Sequence, residues 1–414
     1  MDGIKDWDYC NHLLHGLRYI TMETLRGFNT RAVHGGELKD PRFGNVMTPI
    51  FESATFLNPN YEPNPYMDRT RNEPYLYTRW GNPTVQSLEE KYAQLEGTED
   101  SMAFSSGMGA ISASVLGNFG KGAKILSVRE LYGQTYTLFS TFLKSKGIEV
   151  DFIDVDKMNA VEFSADRYDM VYGESIVNPT LGVLDLKEIG KACSESGTPL
   201  FVDATFATPF NQNPAEFGAS VVIHSATKYI SGHSDIVLGL SGFSSKFKKG
   251  FYEARKNLGA SVDPLQAYLA LRGMKTLGLR VKRQNETALK IARELSQNSH
   301  VERVFYPGLE EFPYHSTAKK VLKGYGGMVS FEVKGGFQEA RNFMKNLRII
   351  TSATSLGGIE SLVTLPVDTS HKSLSREDRE KAGIKDNLVR LSVGIEDSDD
   401  LMDDLEYALG KMRS

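Results

Sequence analysis

This chain predicts an α/β protein with a mostly parallel sheet, and three observations carry that expectation. Short apolar segments alternate with helical ones from Lys124 to Ile223. The apolar segments are continuous rather than alternating, as expected for strands covered on both faces. Tyr132, Asn178, Asp203 and Lys228 fall at, or just past, the ends of these segments. Open α/β sheets bind ligands in the crevice beyond the carboxyl ends of their strands.

Residues 1 to about 21 read as an appendage, with Met22 as an alternative start. The stretch from Asn29 to Trp80 is rich in Pro, Asn, Gly and aromatic residues and has little helical or strand period. Tyr61, Tyr66, Tyr75, Tyr77 and Trp80 argue for an arm that packs on something, such as a neighbouring subunit. Asn82 can cap a helix whose first turn takes Pro83 and whose face is Val85, Leu88, Tyr92 and Leu95; Gly97 ends it. Ser106 can cap a second helix that opens with Gly107, Met108 and Gly109. Such an opening leaves backbone N–H groups free for a phosphate, or else serves tight helix packing, and the stretch alone favours neither.

Strands are predicted at Lys124–Val128, Glu149–Asp154, Met170–Tyr172, Leu200–Asp203 and Val221–Ile223, with helices at Thr135–Lys146 and Leu186–Ser196 among them. A long helical region follows at about Pro264–Ser296. Residues 301–414 read as a smaller α+β unit, with strands at Met328–Val333 and Val389–Val393 and helices at Phe337–Leu347 and Asp400–Met412. A length of 414 residues favours more than one domain. The expected divisions are 1–80 for the extension and arm, 81–280 for the α/β domain and 281–414 for the C-terminal α+β domain.

A hydrophobic share of 40%, a charged share of 24% and a net charge of −4 give no reason to expect nucleic acid or an anionic membrane as partner. No apolar run is long enough to span a bilayer, and MDGIKDWDYCNHLLHG is too polar for a secretory signal. Cys10 and Cys193 have no metal-type spacing, and Cys193 is most simply a small core residue in the helix Leu186–Ser196. The eight histidines show no ligand pattern, so no metal is expected. This poverty in cysteine fits a reducing cytoplasm.

The segment ASVVIHSATKYISGHS, Ala219 to Ser234, places Lys228 just past a buried strand, behind Ser225 and Thr227. A lysine desolvated there has a lowered pKa and an amine free to attack carbonyls. A solvated loop lysine is the commoner case, and Ser-x-Thr-Lys alone decides nothing. The other parts of a pyridoxal phosphate site are present as well. Asp203 is a carboxylate for the pyridine nitrogen, although a turn or cap role would also explain it. Gly107 and Met108 offer backbone donors, Ser225 and Thr227 offer hydroxyls, and Tyr132 can stack on a ring. Arg390, in NLVRLSVGIED, can hold a substrate carboxylate in a bidentate fork, though a surface strand arginine is more frequent.

Rival classes lack their signatures. A nicotinamide-dependent oxidoreductase needs Gly-x-Gly-x-x-Gly after its first strand, whereas Gly107-Met108-Gly109 continues to Ser112. No P-loop sequence is present. A phosphate-binding protein without catalysis would keep the cradle and have no need of Lys228.

Eight ordered segments carry a family resemblance: YTRWGNPT from Tyr77, SSGMGA from Ser105, LYGQTY from Leu131, ESIVNPT from Glu174, VDATFATP from Val202, SATKYISGHSD from Ser225, SLGGIESL from Ser355 and VRLSVGIED from Val389. On these the chain, from about Thr30 to its C-terminus, resembles the Cys/Met-metabolism (trans-sulfuration) family of pyridoxal-phosphate enzymes. That family includes cystathionine γ-synthase, cystathionine γ-lyase, methionine γ-lyase and O-acylhomoserine sulfhydrylases. The resemblance implies a fold-type-I transferase: a mostly parallel seven-stranded sheet with helices on both faces, an extended N-terminal arm and a smaller α+β C-terminal domain. It implies pyridoxal 5′-phosphate as cofactor, amino-acid substrates and a homotetramer built as a dimer of dimers.

Roles follow from the same resemblance. Lys228 would hold the cofactor as a Schiff base and shuttle protons, and Tyr132 would stack on the ring and assist catalysis. Asp203 would pair with the pyridine nitrogen and Asn178 with the ring hydroxyl, with Thr205 also at the cofactor. Gly107, Met108, Ser225 and Thr227 would hold the phosphate. Tyr77 and Arg79 would reach the phosphate of a neighbouring protomer's cofactor, with Tyr77 also near substrate. Ser355 and Arg390 would receive the substrate α-carboxylate. Thr354 and Leu76 stand where acidic residues are frequent in the family, Gln134 where methionine γ-lyases carry cysteine, and Ala204 where asparagine is usual. The C-terminal segments look most like the cystathionine synthase and lyase branch. The expectation is therefore γ-replacement of an O-acylhomoserine with cysteine, with γ-elimination or sulfhydrylation as the alternatives.

Overall fold

The structure, a computed structural model, describes residues 26–40, 43–57, 67–68, 73–372 and 374–412. The expected appendage, Cys10, Tyr61 and Tyr66 lie outside the described residues.

Seven strands form the central sheet: β1 (Asp100–Phe104), β2 (Lys124–Val128), β3 (Glu149–Ile153), β4 (Met170–Glu174), β5 (Leu200–Asp203), β6 (Ala219–Ser225) and β7 (Gly239–Phe243). Their order across the sheet is β1-β7-β6-β5-β4-β2-β3. Only β7 runs against its neighbours, so the sheet is mostly parallel. All five strands read from the sequence for this sheet are present. β1 and β7 were not predicted, and β7 shows why. Its sequence, GLSGF, carries two glycines and no strand-like run. A Cβ on Gly239 would sit 2.1 Å from the carbonyl oxygen of Ser106, so a small residue is required where the neighbouring helix enters.

The helices that matter for the site are α1 (Phe28–His34), α2 (Pro83–Glu96), α3 (Gly107–Leu116), α4 (Gly133–Thr137), α5 (Leu186–Ser196), α6 (Lys248–Leu258), α7 (Pro264–Met274) and α8 (Leu277–Gln297). Asn82 caps α2 by accepting from the Thr84 N–H, and Gly97 ends it in the left-handed conformation. Ser106 caps α3 by accepting from the Gly109 N–H.

Three expectations need correction. The stretch from Asn29 is not without regular structure, because α1 occupies its start, docked by the Lys91 ammonium on the carbonyls of Ala32 and Val33. The helix expected at Thr135–Lys146 begins at Gly133 and widens into a π-turn at Leu138–Leu143. The helical region from Pro264 is two helices, broken at Lys275 and Thr276. There the buried Arg280 guanidinium donates to the carbonyls of Gly273, Tyr229 and Ile230, and so ties the junction to the segment after Lys228.

A second sheet has the order β8-β9-β12-β11-β10, from β8 (Val301–Phe305), β9 (Met328–Val333), β10 (Thr351–Ser352), β11 (Leu362–Thr364) and β12 (Leu388–Ser392). Two clusters of buried apolar side chains hold the fold. One fills the central sheet, with Phe104, Ile125, Val171, Phe201 and Val222, and the Phe243 and Phe251 rings stack 4.4 Å apart beside them. The other runs from α2, α7 and α8 into the second sheet through Leu88, Leu271, Val281, Val329 and Leu391. Each such leucine or phenylalanine contributes roughly 1.5–3 kcal/mol by burial. The second cluster therefore fixes β12, and with it Arg390, relative to the central sheet. No helix among the described residues is long and apolar enough to cross a membrane.

Candidate active site

A cavity of about 560 Å³ opens over the carboxyl ends of β4, β5 and β6, three neighbouring strands of the central sheet. It is lined from the sheet by Glu174, Asp203 and Ser225, from α3 by Gly107 and Met108, from β12 of the second sheet by Arg390 and from the loop between β10 and β11 by Ser355. Tyr132, Asn178, Thr205, Thr227 and Lys228 complete the set. Eleven of the site residues read from the sequence thus converge on one cavity. Tyr77 and Arg79 do not line it.

Lys228 stands three residues beyond the end of β6, and its ammonium donates to Ser355 Oγ at 2.8 Å. Burial first, and the nearby Arg390 guanidinium second, lower its pKa to about 8. No carboxylate of the described residues forms an ion pair with it. Such a lysine gives up its proton far more readily than a surface lysine, and its free amine is a nucleophile and a base.

Asp203 ends β5, and its Oδ1 accepts both the Thr205 N–H (2.9 Å) and the Thr205 hydroxyl (2.6 Å). Those bonds stabilise the charged form, yet burial still pushes the carboxyl above its ordinary range. No cation forms an ion pair with the side chain among the described residues, His224 acting on it only electrostatically, and Oδ2 is left for a donor in the cavity. The Thr205 hydroxyl also accepts from the Ser225 N–H, so it positions two neighbours.

The anion-binding end is α3. Ser106 occupies the Gly109 N–H, and the N–H groups of Gly107 and Met108 have no intrahelical acceptor. A Cβ on Gly107 would sit 2.8 Å from Ser225 Oγ, so glycine lets the helix start close against that hydroxyl. The Thr227 hydroxyl donates to the Leu238 carbonyl (3.2 Å) and accepts from the Leu238 N–H (2.9 Å), so its proton is already engaged. Ser225 is the freer of the two hydroxyls.

Arg390 lies on β12 and is buried. Its guanidinium donates to Asn178 Oδ1 at 3.0 Å and to the Ser355 carbonyl at 3.1 Å, and its Nε has no partner. Burial lowers its pKa to about 10. A buried guanidinium that faces a cavity and forms no ion pair among the described residues is suited to an external carboxylate.

Tyr132 precedes α4 and is 38% exposed at the cavity. Its backbone N–H donates to Glu174 Oε1 at 2.6 Å. Glu174 ends β4 directly opposite Asp203 in the sheet register, and burial together with the Asp203 charge pushes its pKa well above the ordinary carboxylate range. The sequence reading contained Glu174 only as the start of a motif. A carboxylate closing the buried run MVYGE was the available signal. Asp368, Thr369 and Ser370 also line the cavity, and nothing in their local pattern marked them.

Tyr77 and Arg79 sit on the arm. The Arg79 guanidinium donates to the Lys256 carbonyl of α6 and lies 5.4 Å from the Tyr77 ring. Of the family departures, Thr354 lines the cavity, Leu76 is exposed and Ala204 is buried.

Comparison with known proteins agrees with this geometry. A family model described as "Cys/Met metabolism PLP-dependent enzyme" matches residues 29–410. An L-methionine gamma-lyase of Fusobacterium nucleatum subsp. polymorphum is 40% identical, covering 94% of this chain and all of its own length. A cystathionine beta-lyase of Lactococcus lactis subsp. cremoris is 39% identical, with 94% and 100% covered. The crystal structure of a cystathionine gamma synthase from Xanthomonas oryzae pv. oryzae in complex with cystathionine superimposes with a TM-score of 0.87 at 35% identity, covering 94% of this chain and 99% of that one.

Proposed function

The chain belongs to the Cys/Met-metabolism family of pyridoxal-phosphate-dependent enzymes, and within it we propose that it catalyses γ-replacement, joining an O-acylhomoserine to cysteine. By that membership the chain is a pyridoxal-phosphate-dependent trans-sulfuration enzyme. The reading is carried by the meeting of Lys228, Asp203 and Arg390 in one cavity.

The cavity fits pyridoxal phosphate on two observations. Asp203 offers an unused carboxylate oxygen and forms no ion pair among the described residues, which suits a protonated ring nitrogen. The opening of α3 against Ser225 offers two N–H groups and a hydroxyl, which suit a phosphate. Gly107, Met108, Ser225 and the outer face of Thr227 would hold the phosphate, with Asn178 and Tyr132 at the ring. Once bound, the cofactor supplies an electron sink that acidifies the hydrogens on the carbons next to it.

The chain's own residues do the rest. Arg390 fixes the substrate α-carboxylate through its guanidinium, with Asn178 and the Ser355 carbonyl holding the fork in place. Lys228 Nζ takes the α-hydrogen and later returns it, and Ser355 keeps that nitrogen within reach of the cavity. In γ-replacement the Cγ–O bond breaks, the Cγ–S bond forms and the thiol proton accompanies the carboxylate that leaves. The uncharged Thr354 at the cavity supports an acylated homoserine as donor over a substrate that needs a carboxylate there.

Tyr77 and Arg79, outside their own cavity but on an arm with exposed aromatic surface, serve a neighbouring protomer in this reading. The assembly is then a homotetramer of two dimers that share active sites. Supplying O-acylhomoserine with cysteine and identifying the products tests the proposal: cystathionine as main product supports it, and dominant 2-oxobutanoate favours the second reading, γ-elimination. The methionine gamma-lyase relative is the observation behind that second reading.

A further inference from the structure

Five ionisable side chains of the described residues contribute carboxylates or cations to the cavity lining: Lys228, Arg390, Glu174, Asp203 and Asp368. Glu174 and Arg390 are buried, Lys228 and Asp203 are half-buried, and all four have tasks at the inner end. Asp368 differs. It is exposed, and its carboxylate has no ion pair or side-chain hydrogen bond among the described residues.

Its position is nevertheless fixed. β11 pairs with β12 so that Thr364 stands opposite Arg390. The chain then turns through Pro366–Asp368. The Thr369 hydroxyl bonds both Thr364 Oγ1 and the Leu365 carbonyl at 2.8 Å, which closes the turn from one side. From the other side, His371 is buried with its Nε2 3.2 Å from the Leu131 carbonyl, next to Tyr132. The turn that carries Asp368 is therefore tied both to the strand of Arg390 and to the segment that presents Tyr132. With Arg390 taking the α-carboxylate inside, the outer part of the cavity receives the far end of a long substrate, or the incoming thiol.

We propose that Asp368 is the specificity residue for an ammonium group at that far end. This rests on the trans-sulfuration reading and names its substrate class: a thiol or thioether amino acid bearing a second, distal ammonium, as opposed to one ending in an alkyl group. The amine of cysteine before γ-replacement and the distal amine of the thioether product are the same group, so one carboxylate serves both. Thr354, uncharged on the same cavity, leaves this role to Asp368.

The test compares S-(2-aminoethyl)homocysteine with S-propylhomocysteine, which differ only in an ammonium for a methyl. Their inhibition constants are measured against O-acylhomoserine consumption by the holoenzyme, for the unaltered chain, Asp368→Asn and Asp368→Glu. The expected result is preference for the aminoethyl compound in the unaltered chain, a loss of about tenfold in that preference in Asp368→Asn, and recovery in Asp368→Glu. Inhibition by the propyl compound should be unchanged, and the KM for cysteine should rise in Asp368→Asn. An unaltered preference in Asp368→Asn, with normal O-acylhomoserine consumption, overturns the role of Asp368 alone. So does an equal loss for both compounds, or a change in sedimentation, which would place Asp368 in the assembly. Failure of the unaltered chain to consume O-acylhomoserine or either thioether overturns the trans-sulfuration reading itself.

Discussion

The Lys228 ammonium and the Ser355 hydroxyl meet at 2.8 Å, joining a segment that leaves the central sheet to a loop between β10 and β11 of the second sheet. Ser355 holds φ at 80°, a left-handed backbone that non-glycine residues rarely adopt. The strain is consistent with a hydroxyl placed for function. Ser355→Ala should leave the fold intact and lower kcat about tenfold, the usual cost of one hydrogen bond to a charged group. Steady-state kinetics with the folded holoenzyme checks this.

Burial of Lys228 also predicts a pH-dependent stability. With the cofactor removed, its folded pKa of about 8 lies below its ordinary value of 10.5. Between those values the unfolded chain binds more protons, so stability rises as pH rises through that window. Below pH 8 the buried charge costs roughly 3 kcal/mol at 1.36 kcal/mol per pKa unit. Lys228→Met should therefore be more stable than the unaltered apoprotein at pH 7, and the difference should shrink by pH 10. Urea unfolding at both pH values measures it.

Glu174 predicts a separation of shape from charge. Its carboxyl is pushed toward the neutral form by burial and by Asp203, while its Oε1 accepts the Tyr132 N–H. Glu174→Gln keeps a neutral acceptor and should retain activity within about threefold. Glu174→Ala removes the acceptor and should lower kcat/KM about tenfold or more. Visible-region circular dichroism of the bound cofactor should change in the alanine variant only.

Arg79 tests the sharing of sites between protomers. Arg79 lies outside the cavity of its own chain, where its guanidinium donates to the Lys256 carbonyl and lies beside the Tyr77 ring. Arg79→Ala should nonetheless weaken cofactor retention about tenfold on dialysis. Unchanged retention would remove the arm from the active site.

Much of the site was legible because its residues follow strand ends. Asp203, Lys228 and Asn178 were found by the convergence of apolar runs with polar termini. Arg390 was harder, since a strand arginine is ordinarily exposed, whereas here it is buried against Asn178 and the Ser355 carbonyl. Strand β7 was hidden because close helix approach, through Gly239, replaces the residues that mark a strand. The break between α7 and α8 was hidden because Arg280, not a proline or a glycine, ties it. Asp368 could not be found from sequence. Its meaning comes from the register that sets Thr364 opposite Arg390, and pairing across a sheet has no local signature.

The central claim is that Lys228 is the reacting amine. The most direct measurement is to load the protein with pyridoxal phosphate, reduce it with borohydride and map the peptide that carries the cofactor. The account predicts one modified site, Lys228, and no turnover in Lys228→Ala. Cofactor fixed at another lysine, or turnover surviving in Lys228→Ala, would contradict it.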